Sequence, residues 1–231
     1  MKPVVVDAMG GDNAPNAIIE GVRQALEGGI SVELVGDPNL LDDLGGLTLN
    51  PATEVIEMAE EPGKAVRLKK DSSIVRAAEL VRDGHASAMV SAGNTGAVAA
   101  AALLRMKRLK GVQRPAIATV IPVPSGTPKI LLDSGAMADC QADWLQQFAR
   151  MGSTFAKVRY EMREPRIGLV SIGEEPEKGN QLVKETHALL SRDSTINFVG
   201  NVEGRDVLEG EVDVLVADGF TGNVILKTLE G

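Results

Sequence analysis

Along this 231-residue chain, short apolar runs alternate with stretches whose apolar positions recur every three to four residues. The runs 4–6, 32–35, 54–58, 86–91, 116–121, 129–133, 166–172, 196–199 and 213–217 predict strands. Residues 16–26, 72–82, 95–106, 141–160 and 181–191 have helical spacing and lie between most of them, with Pro15 suited to a first helical turn. Such alternation predicts an α/β fold: a mostly parallel mixed sheet with helices on both faces. One stretch breaks the rhythm. VIPVPSGTPKILLD, residues 120–133, joins two strands through a Pro- and Gly-rich turn with no helix between, which predicts an antiparallel hairpin. The chain reads as a single α/β unit of 1–231; if two lobes form, the expected boundary lies near 141–160.

Composition narrows this picture. A hydrophobic content of 44% with 24% charged residues fits a globular protein, while 3% aromatics and 25 glycines point to a core of Val, Ile, Leu and Ala joined by tight turns. The charged, strand-like start and the shortness of the alanine-rich stretch 97–104 predict neither a signal peptide nor a membrane span, hence a cytoplasmic location. Cys140 stands alone and there are two histidines, so no metal site is expected. The formal charge of −8 argues against nucleic acid as a partner. Positive residues are nevertheless bunched, Arg67, Lys69 and Lys70 in one cluster and Arg105, Lys107, Arg108, Lys110 and Arg114 in another. With a Debye length of about 8 Å, such clusters fit either an acidic partner or solvated helix ends.

The candidate chemistry sits where strands end. VVVDAMGGDNAPNAIIEGV, residues 4–22, runs from a strand through Gly10 and Gly11 into a helix, whose first unpaired N–H groups carry about half a positive charge. Gly-Gly also fits a plain tight turn. VSAGNTGAV, LLDSGAMAD, VSIGEEPEKGNQ and VADGFTGNV leave later strands in the same manner, and loops at the carboxyl ends of parallel strands are where ligands bind. Asn94, Thr95, Asn180, Thr221 and Asn223 supply neutral donors and Lys70 and Lys184 positive charge, a mixture suited to phosphate or an oxyanion. GxxxxGK[ST], GxGxxG and GxSxG are lacking, which argues against ATPase, dinucleotide and serine-hydrolase sites. A pairing of Cys140 with His85 or His187 is disfavoured, since a lone Cys is more often a small buried hydrophobe.

VDAMGGDNAP, AVRLKKDSSI, SAGNTGA, IGEEPEKGN, NFVGNVEGRD and ADGFTGNVILKTLEG together resemble the signature segments of the phosphate:acyl-carrier-protein acyltransferases of bacterial phospholipid synthesis, in order and spacing over essentially the whole chain. The resemblance implies a fold of the isocitrate/isopropylmalate dehydrogenase type, no cofactor, a homodimer, a place at the inner face of the membrane, and transfer of an acyl group from acyl-acyl carrier protein to inorganic phosphate. Two departures stand out. The sequence has Asp133-Ser134-Gly135-Ala136-Met137 where the family commonly has Asp-Val-Gly-Ala-Asn, and family members continue past Gly231 into a further helical region.

On this reading Asn94, Thr95, Lys184 and Asn223 are the expected catalytic residues. Gly10, Gly11, Asp12, Asn13, Gly93, Gly96, Lys70, Ser72, Asn180, Asp218, Thr221 and Gly222 are expected to bind phosphate or substrate, with Asp218 bracing its loop. Arg67, Lys69, Arg105, Lys107 and Arg108 are expected to dock the acidic carrier protein. Lys184 also fits a solvated helix lysine. Rival readings are a phosphotransacetylase-like enzyme using acyl-coenzyme A, a noncatalytic phosphate- or acyl-binding module and, from fold alone, a dehydrogenase.

Overall fold

The computed structural model describes residues 2–41, 46–123, 126–209 and 211–231, which form two compact units, Met1–Leu109 and Lys110–Gly231. The division thus falls earlier than the 141–160 stretch, which lies inside the second unit.

In the first unit, β1 (Val4–Asp7), β2 (Val32–Gly36), β3 (Leu49–Pro51) and β4 (Ala88–Val90) form a wholly parallel sheet in the order β3-β2-β1-β4. Successive side chains on a strand face opposite ways, and the sequence uses both faces. Leu34, Val32 and Ala8 bury against Val22 of α1 (Asn16–Glu27), while Val5 and Val35 bury against Ala77 of α3 (Ser73–Arg82). Helices α2 (Pro62–Leu68) and α4 (Thr95–Ala101) complete the unit around Val66, Ile74 and Ala97. The expected helix 95–106 is thus α4 followed by a wider π-helical turn at Ala102–Met106, after which Lys107 adopts a positive φ of 71°.

The expected strand 54–58 does not form. Only Glu54 makes a bridge, to Ser72, while Ile56 is buried beneath α2, α3 and α4. Three apolar positions in a short run (Val55, Ile56 and Met58) cannot distinguish a strand from a crossing segment with a buried anchor. That segment leads into α2, unforeseen by the helical pattern, where Glu61 caps the first turn by accepting from Gly63 N at 3.0 Å and Lys64 N at 2.8 Å.

The second unit holds β5 (Thr119–Ile121), β6 (Lys129–Leu132), β7 (Arg166–Val170), β8 (Asn197–Val202) and β9 (Val214–Val216), ordered β5-β6-β9-β7-β8. The expected hairpin is present: β5 runs antiparallel to β6, with Thr119 opposite Leu131, and the other pairs are parallel. Positions 124 and 125 of its turn lie outside the described residues. Ile130, Leu132, Ile167, Leu169, Val214 and Val216 bury against α5 (Ala142–Tyr160) and α6 (Gln181–Leu190). Leu131, Leu215, Ile121 and Val170 face the other way, toward Val207 of α7 (Asp206–Glu209) and Ile225 of α8 (Gly219–Glu230). Period-two burial on both faces is what an α/β sheet covered by helices requires. The class is as expected, but the strands separate into two sheets rather than one.

Candidate anion-binding loops

The loop after β1 is shaped by a buried carboxylate. Asp7, at the last position of the strand and fully buried, accepts from Met9 N at 3.0 Å and from Ser91 Oγ at 2.7 Å, and Gly93 N donates to that same serine oxygen at 3.1 Å. Asp7 therefore ties the loop after β1 to the loop after the neighbouring β4. The two meet glycine to glycine: a Cβ on Gly10 would lie 2.8 Å from Gly93 N and 2.5 Å from the Asp7 carboxylate. Gly11, at φ +104°, has Ala92 O 3.0 Å from where a Cβ would sit. With the chain turned this way, the backbone N–H groups of Gly10, Gly11, Asp12 and Asn13 donate to nothing among the described residues. Four consecutive undonated N–H groups just before α1 are positive dipole ends of a kind suited to an anion.

Asn94 and Thr95 open α4 immediately beyond that contact. The Asn94 side chain, 6% exposed, caps the helix by accepting from Ala97 N at 3.0 Å, and its amide donates to Glu57, Met58 and Glu60 carbonyls at 3.1–3.2 Å. It is fully occupied in holding the 57–60 segment over the start of α4, which gives it a positioning task. Gly96 permits the same closeness: a Cβ there would meet Pro62 Cγ at 2.6 Å. Thr95 is exposed at the rim. Ser72 is buried and donates to Lys69 O at 2.9 Å, while Lys70 is exposed beside it.

In the second unit the loops after β6 and β9 interlock. Buried Asp133 accepts four backbone N–H groups, from Ile117 at 2.9 Å, Gly135 at 3.2 Å, Ala136 at 3.0 Å and Met137 at 2.7 Å. This shapes the turn 133–137, and Gly219 N donates to Met137 O at 2.8 Å. The first turn of α8 lies so close that a Cβ on Gly222 would overlap the Asp133 carbonyl oxygen. Asp218 caps α8, accepting from Thr221 N at 2.9 Å and Thr221 Oγ1 at 2.8 Å, so its carboxylate braces the loop. Asn223 lies beside Gly135, its Oδ1 3.5 Å from where that glycine's Cβ would be. Its exposed amide makes no hydrogen bond among the described residues.

The third loop of this unit follows β7. Asn180 caps α6 by accepting from Val183 N at 2.9 Å, and Lys184 is exposed in that helix's first turn. Three exposed carboxylates, Glu174, Glu175 and Glu177, lie on the same loop, with Glu174 3.7 Å from Arg205. The expected site residues therefore form two groups: 10–13, 70, 72 and 93–96 in the first unit, and 180, 184 and 218–223 in the second.

Cys140 is no rival nucleophile. Burial pushes its thiol up to about 11, and the sulfur donates to Met137 O at 3.3 Å. His187 is engaged elsewhere, with Asn201 at 2.9 Å. Among the expected docking residues, Lys69 is held inward by Glu60 and the Val55 carbonyl, both at 2.6 Å. Arg105 donates to Val66 O at 3.0 Å. Arg67, Lys107 and Arg108 are exposed. Among the described residues no group of three or more His, Cys, Asp or Glu is placed to hold a metal ion, and no helix is long and apolar enough to cross a membrane.

Sequence reasoning passed over Asp7, Ser91, Asp133 and Asn201. The first three lie inside the quoted strand-end segments. An aspartate closing an apolar strand immediately before a glycine turn is the available signal, because a carboxylate there has several backbone N–H groups to satisfy.

The sequence profile of the family described as "Fatty acid synthesis protein" matches residues 2–231. The chain belongs to that family. Its relatives include a "Phosphate acyltransferase" of Nostoc sp., 50% identical over 98% of this chain and 69% of the relative. Another protein of that name, from Bacillus licheniformis, is 48% identical over 99% of this chain and 71% of the relative. Among solved structures, a phosphotransacetylase from Streptococcus pyogenes superposes with a TM-score of 0.71 at 17% identity, covering 99% of this chain and 81% of that one. The EutD phosphotransacetylase from Staphylococcus aureus gives 0.68 at 17%, over 99% and 82%. At such identity these two establish the fold alone.

Proposed function

We propose that the protein transfers the acyl group of an acyl-acyl carrier protein to inorganic phosphate, giving acyl phosphate for phospholipid synthesis. The observation that carries this reading is the near-50% identity to phosphate acyltransferases over essentially the whole chain. The undonated N–H groups at Gly10–Asn13 supply a physical place for the phosphate.

Phosphate is itself the nucleophile. One of its oxygens attacks the thioester carbonyl carbon, a tetrahedral oxyanion forms, and the C–S bond breaks with its electron pair leaving on sulfur. A free thiol ionises near pH 8.5, so departure as thiolate needs little acid assistance. What remains for the protein is to orient and to stabilise charge. Holding two reactants in place is worth about 7–11 kcal/mol of barrier, and one oxyanion donor about a hundred- to thousandfold in rate. Main-chain N–H groups at Gly10–Asn13 hold phosphate in this reading, with Thr95 at the rim and Gly93 and Gly96 admitting the close approach. Within the second unit, Asn223, whose amide is uncommitted, and the exposed cation Lys184 are the groups suited by their chemistry to an oxyanion or phosphate. The protein works as a homodimer at the inner face of the membrane, and Arg67, Lys107 and Arg108 meet the carrier protein.

The test is phosphate-dependent loss of thioester with formation of acyl phosphate, run in parallel with acyl-carrier-protein and acyl-coenzyme A donors. Consumption of thioester that ignores phosphate would defeat the proposal. A strong preference for the coenzyme A donor would move it to the phosphotransacetylase-like alternative.

A further inference from the structure

The second unit carries an apolar trough between α7 and α8, with a volume of about 420 Å³. Small-molecule sites occupy roughly 300–1,000 Å³. The trough arises from the unequal lengths of the two helices: α7 ends after 4 residues while α8 runs for 12, so α7 covers only part of its neighbour's flank. Buried Val207 and partly buried Ile225 belong to the core beneath, and the exposed side chains of Leu208, Val224 and Leu229 line the trough. Large apolar side chains gathered around one concavity mark a place where a ligand or partner displaces water.

The trough has a direction. Gly204 and Arg205, which line it, follow closely on the end of β8 at Val202, whereas Leu229 lies near the end of α8. It therefore starts at the carboxyl edge of the sheet, where ligands of such folds bind, and runs back along α8. The approach at that edge is apolar too. Phe220, four positions before Val224 and so on the same side of α8, is 67% exposed, and Ile172, just past the end of the neighbouring strand β7, is 81% exposed.

The lining calls for an uncharged, slender occupant. Arg205 is engaged by Glu203 at 2.7 Å, Thr228 Oγ1 donates to Val224 O of its own helix at 2.8 Å, and Glu209 is exposed. A stable protein partner covers about 800 Å² on each side, far more than this trough presents. We propose that the trough holds the aliphatic chain of a long-chain acyl donor, with the thioester end toward the carboxyl edge of the second unit. The inference rests on the proposed acyl-transfer reading, which requires a donor whose chain must leave water.

The test measures KM for acyl carrier protein charged with butanoyl, octanoyl, dodecanoyl and hexadecanoyl groups, in the parent, Leu208→Trp and Val224→Gln, with thermal melts alongside. In the parent, KM is expected to fall about two- to fourfold per added methylene and to level once the trough is full. Leu208→Trp, which fills the trough, should raise KM for the hexadecanoyl donor tenfold or more and change that for the butanoyl donor less than twofold; Val224→Gln should do the same more weakly. All four donors share one carrier, so the difference reads the chain alone. A parent KM independent of chain length overturns the inference, as do losses equal for short and long donors that track the melting temperature. Calorimetric titration with dodecanoate reads the trough apart from the reaction. If no donor loses its thioester in a phosphate-dependent way, the proposed function falls, while dodecanoate binding weakened tenfold by Leu208→Trp still supports the trough as a site for an apolar chain. Absence of that binding, or binding that Leu208→Trp leaves unchanged, overturns it. A parent dimer that Leu208→Trp dissociates, with chain-length dependence unaltered, gives the trough to a second copy and overturns it as well.

Discussion

A methyl group on Gly222 has nowhere to go, because the Asp133 carbonyl oxygen already occupies its place. The contact is backbone against backbone, so no rotamer change relieves it. Gly222→Ala should cost about 1–3 kcal/mol or more, read as a lower denaturant midpoint, and a midpoint equal to the parent's would show that the α8 turn moves freely. Chemistry at the neighbouring Cys140 should be quiet. With its thiol pushed up to about 11 by burial, it stays protonated at neutral pH, so Cys140→Ala should retain acyl-phosphate formation within about twofold. Recovery of a thioester-linked acyl group on Cys140 would refute this. At this scale the glycines were legible in the sequence because a strand–Gly–Gly–helix run implies a special turn. Asp7 and Asp133 were not, because a carboxylate near a phosphate site reads as repulsive until its backbone donors are seen.

Helices α5 and α6 are pinned by one buried carboxylate in the turn that follows α6. Asp193, with a side chain 2% exposed, accepts from Arg150 Nε at 2.7 Å, Gln146 Nε2 at 3.0 Å, Thr195 N at 3.1 Å and Thr195 Oγ1 at 2.5 Å. Burial alone would raise its pKa, but the Thr195 and Arg150 hydrogen bonds outweigh that and hold it at about 2, below the usual 3.8. A depressed folded-state value stabilises the fold above the unfolded value and loses that contribution as pH falls toward 2. The difference corresponds to stability on the order of 2 kcal/mol. Asp193→Asn should therefore melt lower than the parent at pH 7, with the gap closing between about pH 4 and pH 2; a gap independent of pH would mean that packing, not charge, is at stake. Elements with strong periodicity, such as α5 and β7, were legible to within a residue or two. The hairpin was legible because Pro and Gly mark its turn. The 54–58 run and α2 were not, since burial of Ile56 beneath three helices depends on contacts distant in sequence.

The molecule as a whole is acidic, with a formal charge of −8, yet the fold gathers part of its positive charge. The two basic clusters are far apart in sequence, but the bond from Arg105 to the Val66 carbonyl, 39 positions away, brings the end of α2 beside the turn after α4. Arg67 and Lys107 are left exposed there, whereas Lys69 is neutralised by Glu60. Sequence alone showed the clustering but not which charges would turn inward, because that depends on which carbonyls each long side chain meets. Exposed charges act on an acidic partner mainly through encounter, and salt screens them over about 8 Å. Replacing Arg67 and Lys107 by Glu should therefore raise KM for acyl-acyl carrier protein at least about threefold at low ionic strength. The effect should fade as salt is added, while kcat and KM for phosphate stay near the parent's. Acyl-coenzyme A, used as donor in the same assay, separates a docking surface from a general electrostatic effect. A carrier-protein surface predicts no comparable loss with that small donor, whereas equal losses with both would place these charges near the substrate itself and remove this face from the docking role.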